Sequence, residues 1–307
     1  MKAKGSDIFK LHGIIVPMVT PFTGTDMEDL DFVGISKLTD YLIHNGVNAL
    51  MVNGTSGEVL LQSHEERKSV VRAVIRDARS RVPVIAGISE SSTKQAVALG
   101  IDAVEAGADA VIATGPFYYK TSEIGLYEHF QSIINKVDLP LMIYNIPSWI
   151  GYGIPPEVVK KLVEKNPGRV LGVKFTTNDL GQFLEYLRLL KNLIPITIGS
   201  DALLLSGLEL GGAGATVGSA NVLPAETAQI YKFYSDNDFS HAREVQEKID
   251  GFAQAMGLGT FPSGLKEGLS FIGIDCGKVR PPLVPLNSNE TARVRESLLW
   301  KKEEMSR

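Results

Sequence analysis

A short apolar run, a turn marked by glycine or proline, and then an amphipathic stretch recur eight times along this chain. That repetition limits its fold more than any single motif does. The apolar runs are Ile14–Thr20, Ala49–Val52, Val84–Ile88, Ala110–Thr114, Leu141–Tyr144, Leu171–Lys174, Ile196–Gly199 and Ala215–Gly218. Helical patterns follow them at about Asp31–Asn45, His64–Ser80, Thr93–Ala106, Ser122–Lys136, Pro155–Lys165, Asp179–Leu190, Asp201–Leu210 and Ala225–Tyr234. The runs are too apolar for one face to be wet, which fits parallel strands covered by helices. Eight such units predict an α/β fold, a closed (β/α)8 TIM barrel over residues 1–235. The rival, an open doubly wound sheet, wants a GxGxxG after its first strand, and none is there. Gly211–Gly214 is glycine-rich but precedes its strand, so it reads as a tight turn. Further helical patterns at about Ser240–Met256, Pro262–Phe271 and Glu290–Lys302 predict a C-terminal helical appendage over residues 236–307. It packs on the barrel and is not an independent domain, because no low-complexity linker precedes it.

Charge and cysteine content narrow the function classes. A net charge of −4, with no cluster of Lys and Arg, argues against a nucleic-acid surface. The single cysteine, Cys276, allows no internal disulfide and reads as a small packed residue. Met1–Lys10 is charged and poor in apolar residues, unlike a signal peptide or anchor, and no run approaches the roughly 18 apolar residues of a membrane span. The expected setting is therefore cytoplasmic, with no membrane partner. His12, His44, His64, His129 and His241 are scattered, without the spacing of a metal helix, so no metal is expected.

In a barrel of this kind the working residues sit at the C-terminal ends of the strands. Those ends carry Asn53-Gly54-Thr55-Ser56-Gly57-Glu58, Pro116-Phe117-Tyr118-Tyr119, Tyr144-Asn145-Ile146-Pro147, Lys174, Gly199-Ser200-Asp201, and Thr216 with Gly218. Lys174 closes an otherwise apolar strand. Burial generally disfavours a charged amine, and a neutral amine attacks carbonyls. The plainer reading is a strand-end lysine that snorkels or pairs with a carboxylate. Tyr144 ends the preceding strand and is either a proton relay or a filler of the barrel rim. Gly54-Thr55-Ser56-Gly57 offers amides and hydroxyls in a tight turn, a nest for a carboxylate or simply a turn. Glu58 reads as a structural carboxylate that accepts loop N–H bonds.

These motifs, with Gly172-Val173-Lys174 and the closing Arg280-Pro281-Pro282-Leu283, resemble the dihydrodipicolinate synthase/N-acetylneuraminate lyase family over nearly the whole chain, in order. The resemblance implies class I pyruvate-dependent aldolase chemistry, which would need no metal or organic cofactor because the protonated imine does the work. Lys174 would form the Schiff base, Tyr144 would relay protons with Thr55 and Tyr118, and Gly54, Thr55 and Ser56 would hold the pyruvyl carboxylate. It also implies a homotetramer built as a dimer of dimers, with Tyr118 reaching a neighbouring subunit's site. Where synthases of the family carry an arginine two residues after the proline of the tyrosine motif, this chain has Trp149, which cannot form a charge-assisted pair with a second carboxylate. Thr176 and Asp201 fall where lyases of the family bind sugar hydroxyls, although Ala202 replaces an expected glutamate. Thr176, Asp201 and Thr216 form a hydroxyl-rich set, with Gly199 beside them as a further substrate-binding candidate. The expectation is a lyase that cleaves a 2-oxo-3-deoxy sugar acid or a 4-hydroxy-2-oxo acid to pyruvate and an aldehyde. The alternatives are 4-hydroxy-tetrahydrodipicolinate synthase, acting on pyruvate and aspartate semialdehyde, and a non-catalytic sugar-acid-binding protein.

Overall fold

The computed structural model describes residues 10–305, so the Met1–Lys10 stretch lies outside the described residues except for Lys10. Eight strands form the barrel: β1 Gly13–Pro17, β2 Ala49–Val52, β3 Val84–Gly87, β4 Ala110–Thr114, β5 Leu141–Asn145, β6 Val170–Phe175, β7 Ile196–Ile198 and β8 Gly214–Thr216. Each is parallel to the next, and β8 closes on β1 through Gly13↔Gly214 and Ile15↔Thr216. The strands are buried throughout and alternate in the side they serve. Ile15, Met51, Ile85, Ile112, Met142 and Tyr144 fill the barrel interior. Ile14, Leu50, Val84, Val111, Ile143 and Val173 pack outward against the helices. Two cores, one inside the sheet and one around it, follow from that period of two.

Several expected helix starts prove to be caps. Asp31, Ser122 and Asp179 lie just before their helices, where each side chain accepts N–H bonds from the first turn. Ser63 and Glu66 form a reciprocal capping box ahead of His64–Ala78. The first apolar run overshoots, since β1 ends at Pro17. The stretch Glu290–Lys302 is two helices, Ser288–Glu296 and Leu299–Met305. The sequence reading also missed a hairpin pairing Phe22–Thr23 with Asp29–Leu30 and a one-turn helix at Pro147–Ile150.

Beyond the barrel, Phe239–Ala255 packs on Pro224–Ser235, and Ser263–Phe271 packs on Ser288–Glu296. The segment between these last two helices returns to the barrel mouth, where Arg280 donates to the carbonyls of Met27, Glu28 and Leu61. Among the described residues no helix is long and apolar enough to cross a membrane. Cys276 is fully buried, and burial pushes its thiol up to about 12.

His129 is the buried exception among the histidines, with Nδ1 2.9 Å from Thr93 Oγ1. Burial lowers its pKa from 6.5 to about 4. The unfolded chain therefore takes up a proton before the folded one does. Stability from this group is complete above the ordinary histidine value and is lost as pH falls toward about 4, by about 3 kcal/mol in all. We expect His129→Asn to flatten the acid side of the urea-midpoint profile. A profile as steep as that of the parent protein would show that other groups cause the acid loss.

Candidate active site

One irregularity sets the geometry of the site. Leu141 pairs with Val170 but Met142 pairs with Gly172, so β6 carries an extra residue, Leu171, at a bulge. In a regular strand, residues three apart point to opposite sides. Here the bulge resets the alternation, so Leu171 joins the interior and Lys174 still aligns with inward-facing Tyr144. Bulges commonly re-aim a side chain beside an active site. Gly172 is required at the kink, because a side chain there would collide with Leu11 and Pro195. Lys174 is 4 % exposed, and its Nζ stands 4.1 Å from the centre of the Tyr144 ring, over its face.

Tyr144 forms part of the floor of a cavity of about 410 Å³. Gly54, Thr55, Ser89 and Thr114 line it from neighbouring strand ends. Lys174 does not line this cavity itself; it packs against the tyrosine that does. The turn after β2 is bracketed by two non-glycine residues in the left-handed region, Asn53 and Glu58, each with φ of 55°. Such backbone costs of order 1–3 kcal/mol per residue and persists where the surroundings hold it. The Asn53 amide group donates to the Arg67 carbonyl, while Thr20 and Gln62 side chains donate to the Gly57 carbonyl. Within the turn, the N–H groups of Gly57 and Glu58 donate to Gly54 and Thr55. Among the described residues, no acceptor faces the N–H groups of Thr55 and Ser56. Two adjacent amides left over in a tight turn make an anion nest.

Glu58 does accept a loop N–H, that of Arg280, at 2.7 Å. Its other carboxylate oxygen lies 2.7 Å from Lys266 Nζ, and both side chains are buried. Burial lowers the Lys266 pKa, opposed by the neighbouring Glu58 charge. Arg280 also pairs with Glu66 at 2.7 Å and lies over the Phe22 ring. Every part of its guanidinium is thus committed to fastening the C-terminal segment to Met27, Glu28, Leu61 and Glu66, and Arg280 is not available to grip a substrate.

The outer residues separate into two groups. Trp149 rims the cavity at 58 % exposure, its ring edge-on to Phe261 at 5.8 Å. Tyr118 lines the opening and is 88 % exposed, with φ of 74°. By contrast, Thr176, Gly199, Asp201 and Thr216 do not line this cavity. The Thr216 hydroxyl is buried 2.9 Å from that of Thr197 inside the barrel. The Asp201 carboxylate accepts the N–H groups of Gly218 and Ser219, and burial pushes its pKa up against those bonds. Thr176 packs on Gly199, where any added side chain would collide with it. Of the hydroxyl-rich set expected from the sequence, Thr216 and Asp201 are thus engaged at the β7 and β8 strand ends, while the buried Thr176 hydroxyl has no hydrogen-bond partner among the described residues.

Sequence reasoning missed Ser89 and Thr114, whose hydrogen bond (Thr114 N–H to Ser89 Oγ, 3.0 Å) sits between Thr55 and Tyr144 on the cavity wall. Their place at or just past strand ends was a usable signal. It also missed Asn145, which is buried and bonds the Tyr186 hydroxyl and the Ile154 N–H, fixing the loop that carries Trp149. Phe261 carried no signal of a place at the site, and Leu283 was visible only as the end of the closing Arg280-Pro281-Pro282-Leu283 motif.

Comparison with known proteins decides the family. The sequence model of the dihydrodipicolinate synthetase family matches residues 10–300. This chain belongs to that family. It is a carbon–carbon lyase of the class I aldolase type. It is 35% identical over 289 residues to a 4-hydroxy-tetrahydrodipicolinate synthase of Archaeoglobus fulgidus, covering 94% of this chain and 97% of the relative. Among solved structures, it superposes with a TM-score of 0.90 on dihydrodipicolinate synthase from Aquifex aeolicus, at 30% identity, covering 96% of this chain and 98% of that one. It superposes equally well, with a TM-score of 0.90, on YagE, a prophage protein of E. coli K12 solved in complex with pyruvate, at 31% identity over 95% of this chain and 98% of that one.

The buried Glu58–Lys266 pair ties the family's glycine-rich turn to the C-terminal helices. Removing one partner leaves the other charge buried and uncompensated. We expect Lys266→Met to cost about 3–5 kcal/mol in urea unfolding, and Glu58→Gln combined with Lys266→Met to recover much of it. A loss in the double variant equal to the sum of the single losses would show that the two residues act separately.

Proposed function

We propose that Lys174 forms a Schiff base with the ketone of a pyruvyl group, and that the protein makes or breaks the bond between C3 and C4 of a 4-hydroxy-2-oxo acid. The observation that carries this reading is the direct register of Tyr144 and Lys174 beside a cavity that Tyr144 and Thr55 line, at a turn where the N–H groups of Thr55 and Ser56 have no acceptor among the described residues. The Thr55 and Ser56 N–H groups would bind the pyruvyl carboxylate at the nest they form, with Gly54 letting the backbone approach. Lys174 leaves the Tyr144 ring to attack C2. Tyr144, with Thr55 and Tyr118, then moves protons as the carbinolamine collapses. In cleavage, the C4 hydroxyl loses its proton, the C3–C4 bond breaks, and its electron pair passes into the iminium nitrogen. The aldehyde leaves, the enamine is protonated at C3, and water releases pyruvate and the free lysine.

The sugar-acid version of the substrate draws on Thr176, Asp201 and Thr216; like Lys174 they do not line this cavity, and the polar atoms of Asp201 and Thr216 are engaged within the fold. The names of the relatives favour a second reading, 4-hydroxy-tetrahydrodipicolinate synthase. Its second carboxylate calls for a cation, while Trp149 stands at the rim and Arg280 is committed elsewhere. The homotetramer belongs to the same proposal. Tyr118 and the neighbouring Tyr119 are 88 % and 78 % exposed, as suits residues that reach a second subunit. A monomeric mass by light scattering would remove that part of it.

Borohydride reduction in the presence of pyruvate tests the nucleophile. We expect the reduced adduct on the peptide bearing Lys174, none in Lys174→Ala, and a Tyr144→Phe variant that turns over about 10²–10⁴-fold more slowly. An adduct on another lysine, or none in the parent protein, overturns the assignment.

A further inference from the structure

We propose that the aldehyde partner carries an apolar aliphatic or aryl group, and neither a second carboxylate nor a polyol chain. This deepens the Schiff-base reading and rests on it. With the pyruvyl group held at the Thr55–Ser56 nest and Tyr144, the rest of the substrate would extend into the cavity that Thr55 and Tyr144 line. Its outer wall is built by Leu60, Leu61, Ile146, Trp149, Phe261 and Leu283. These come from three separate parts of the chain: the loop after β2, the loop after β5 and the C-terminal segment.

Charge at the wall points the same way. Among the described residues lining the cavity there is no lysine or arginine, and the one carboxylate, Glu58, is held by Lys266. A second carboxylate in the substrate would be drawn from water with no cation to meet it, and a polyol chain would exchange water bonds for contacts with hydrocarbon. Of the hydroxyls that line the cavity, those of Thr55, Ser89, Thr114 and Tyr144 gather at the reacting end, and that of Tyr118 stands at the opening on an 88 % exposed side chain. An apolar tail, by contrast, gains from every part of the outer wall. The edge-to-face pair of Trp149 and Phe261 offers an aromatic surface for it. The volume, about 410 Å³, lies in the range of small-molecule pockets and is large enough for more than a pyruvyl group.

The test is a condensation panel on the full chain as it assembles, with pyruvate and one of three aldehydes: benzaldehyde, D-glyceraldehyde or aspartate semialdehyde. The enamine C3 attacks the aldehyde carbon, the new carbon–carbon bond forms, and the aldehyde oxygen takes a proton, giving a 4-hydroxy-2-oxo acid after hydrolysis. We expect kcat/KM for benzaldehyde to exceed that for either polar aldehyde by about ten-fold or more. In Trp149→Arg the ratio of benzaldehyde to aspartate semialdehyde should fall by about ten-fold or more. That ratio is internal to each protein and does not depend on how much of the variant folds. Preference for either polar aldehyde, condensation with none of the three, or an unmoved ratio in Trp149→Arg overturns the inference. Borohydride trapping on the same preparation separates the two levels. A pyruvate adduct on Lys174 with the wrong preference removes only the apolar partner, and absence of the adduct removes the Schiff base beneath it.

Discussion

The extra residue in β6 is the constraint on which the site depends. A closed parallel barrel assigns each side chain to the inside or the outside by strict alternation, and eight strands leave little room to adjust. Without the bulge at Leu171, the register that puts Leu171 indoors would turn Lys174 toward the helices. With it, the lysine shares the interior with Tyr144, and its amine rests on an aromatic face in place of water. Gly172 permits this because any side chain there would meet Leu11 and the Pro195 carbonyl. A sheet irregularity costing one unpaired residue thus becomes the device that aims the reactive amine.

A second constraint joins the two ends of the chain. The turn from Asn53 to Glu58 holds two residues in left-handed backbone, a conformation that does not persist unsupported. Support comes from beneath through Thr20 and Gln62, and from the C-terminal segment through Lys266 and the Arg280 amide. Arg280 fastens the same segment to Met27, Glu28, Leu61 and Glu66. The helices after the barrel therefore do more than cover it. They pin the turn that carries the two unengaged amides and deliver Phe261 and Leu283 to the cavity wall.

The barrel was legible because its signal is repeated: eight buried strands each leave an apolar run. Helix starts were displaced where the capping side chain, as at Asp31 and Asp179, looks helical in composition but lies outside the helix. Lys174, Tyr144 and the Thr55 turn were visible as chemistry out of place at apolar strand ends. What the sequence did not disclose was which hydroxyls face the cavity. Thr216 and Asp201 stand at the right strand ends, yet one bonds within the barrel and the other caps the turn at Gly218 and Ser219. Strand position fixes which end of the barrel a residue occupies, and only packing decides what its polar atoms meet. The bulge itself left no mark beyond Gly172, and the part played by Phe261 depends on long-range contacts that no local pattern encodes.

The central claim is that Tyr144, Lys174 and the Thr55–Ser56 amides act on one pyruvyl group. A crystal structure of the protein soaked with pyruvate tests it most directly. The account predicts continuous density from Lys174 Nζ to C2 of the bound acid, with its carboxylate on the N–H groups of Thr55 and Ser56 and the Tyr144 hydroxyl beside the new carbon–nitrogen bond. Pyruvate joined to a different lysine, or held with its carboxylate away from that turn, would contradict it.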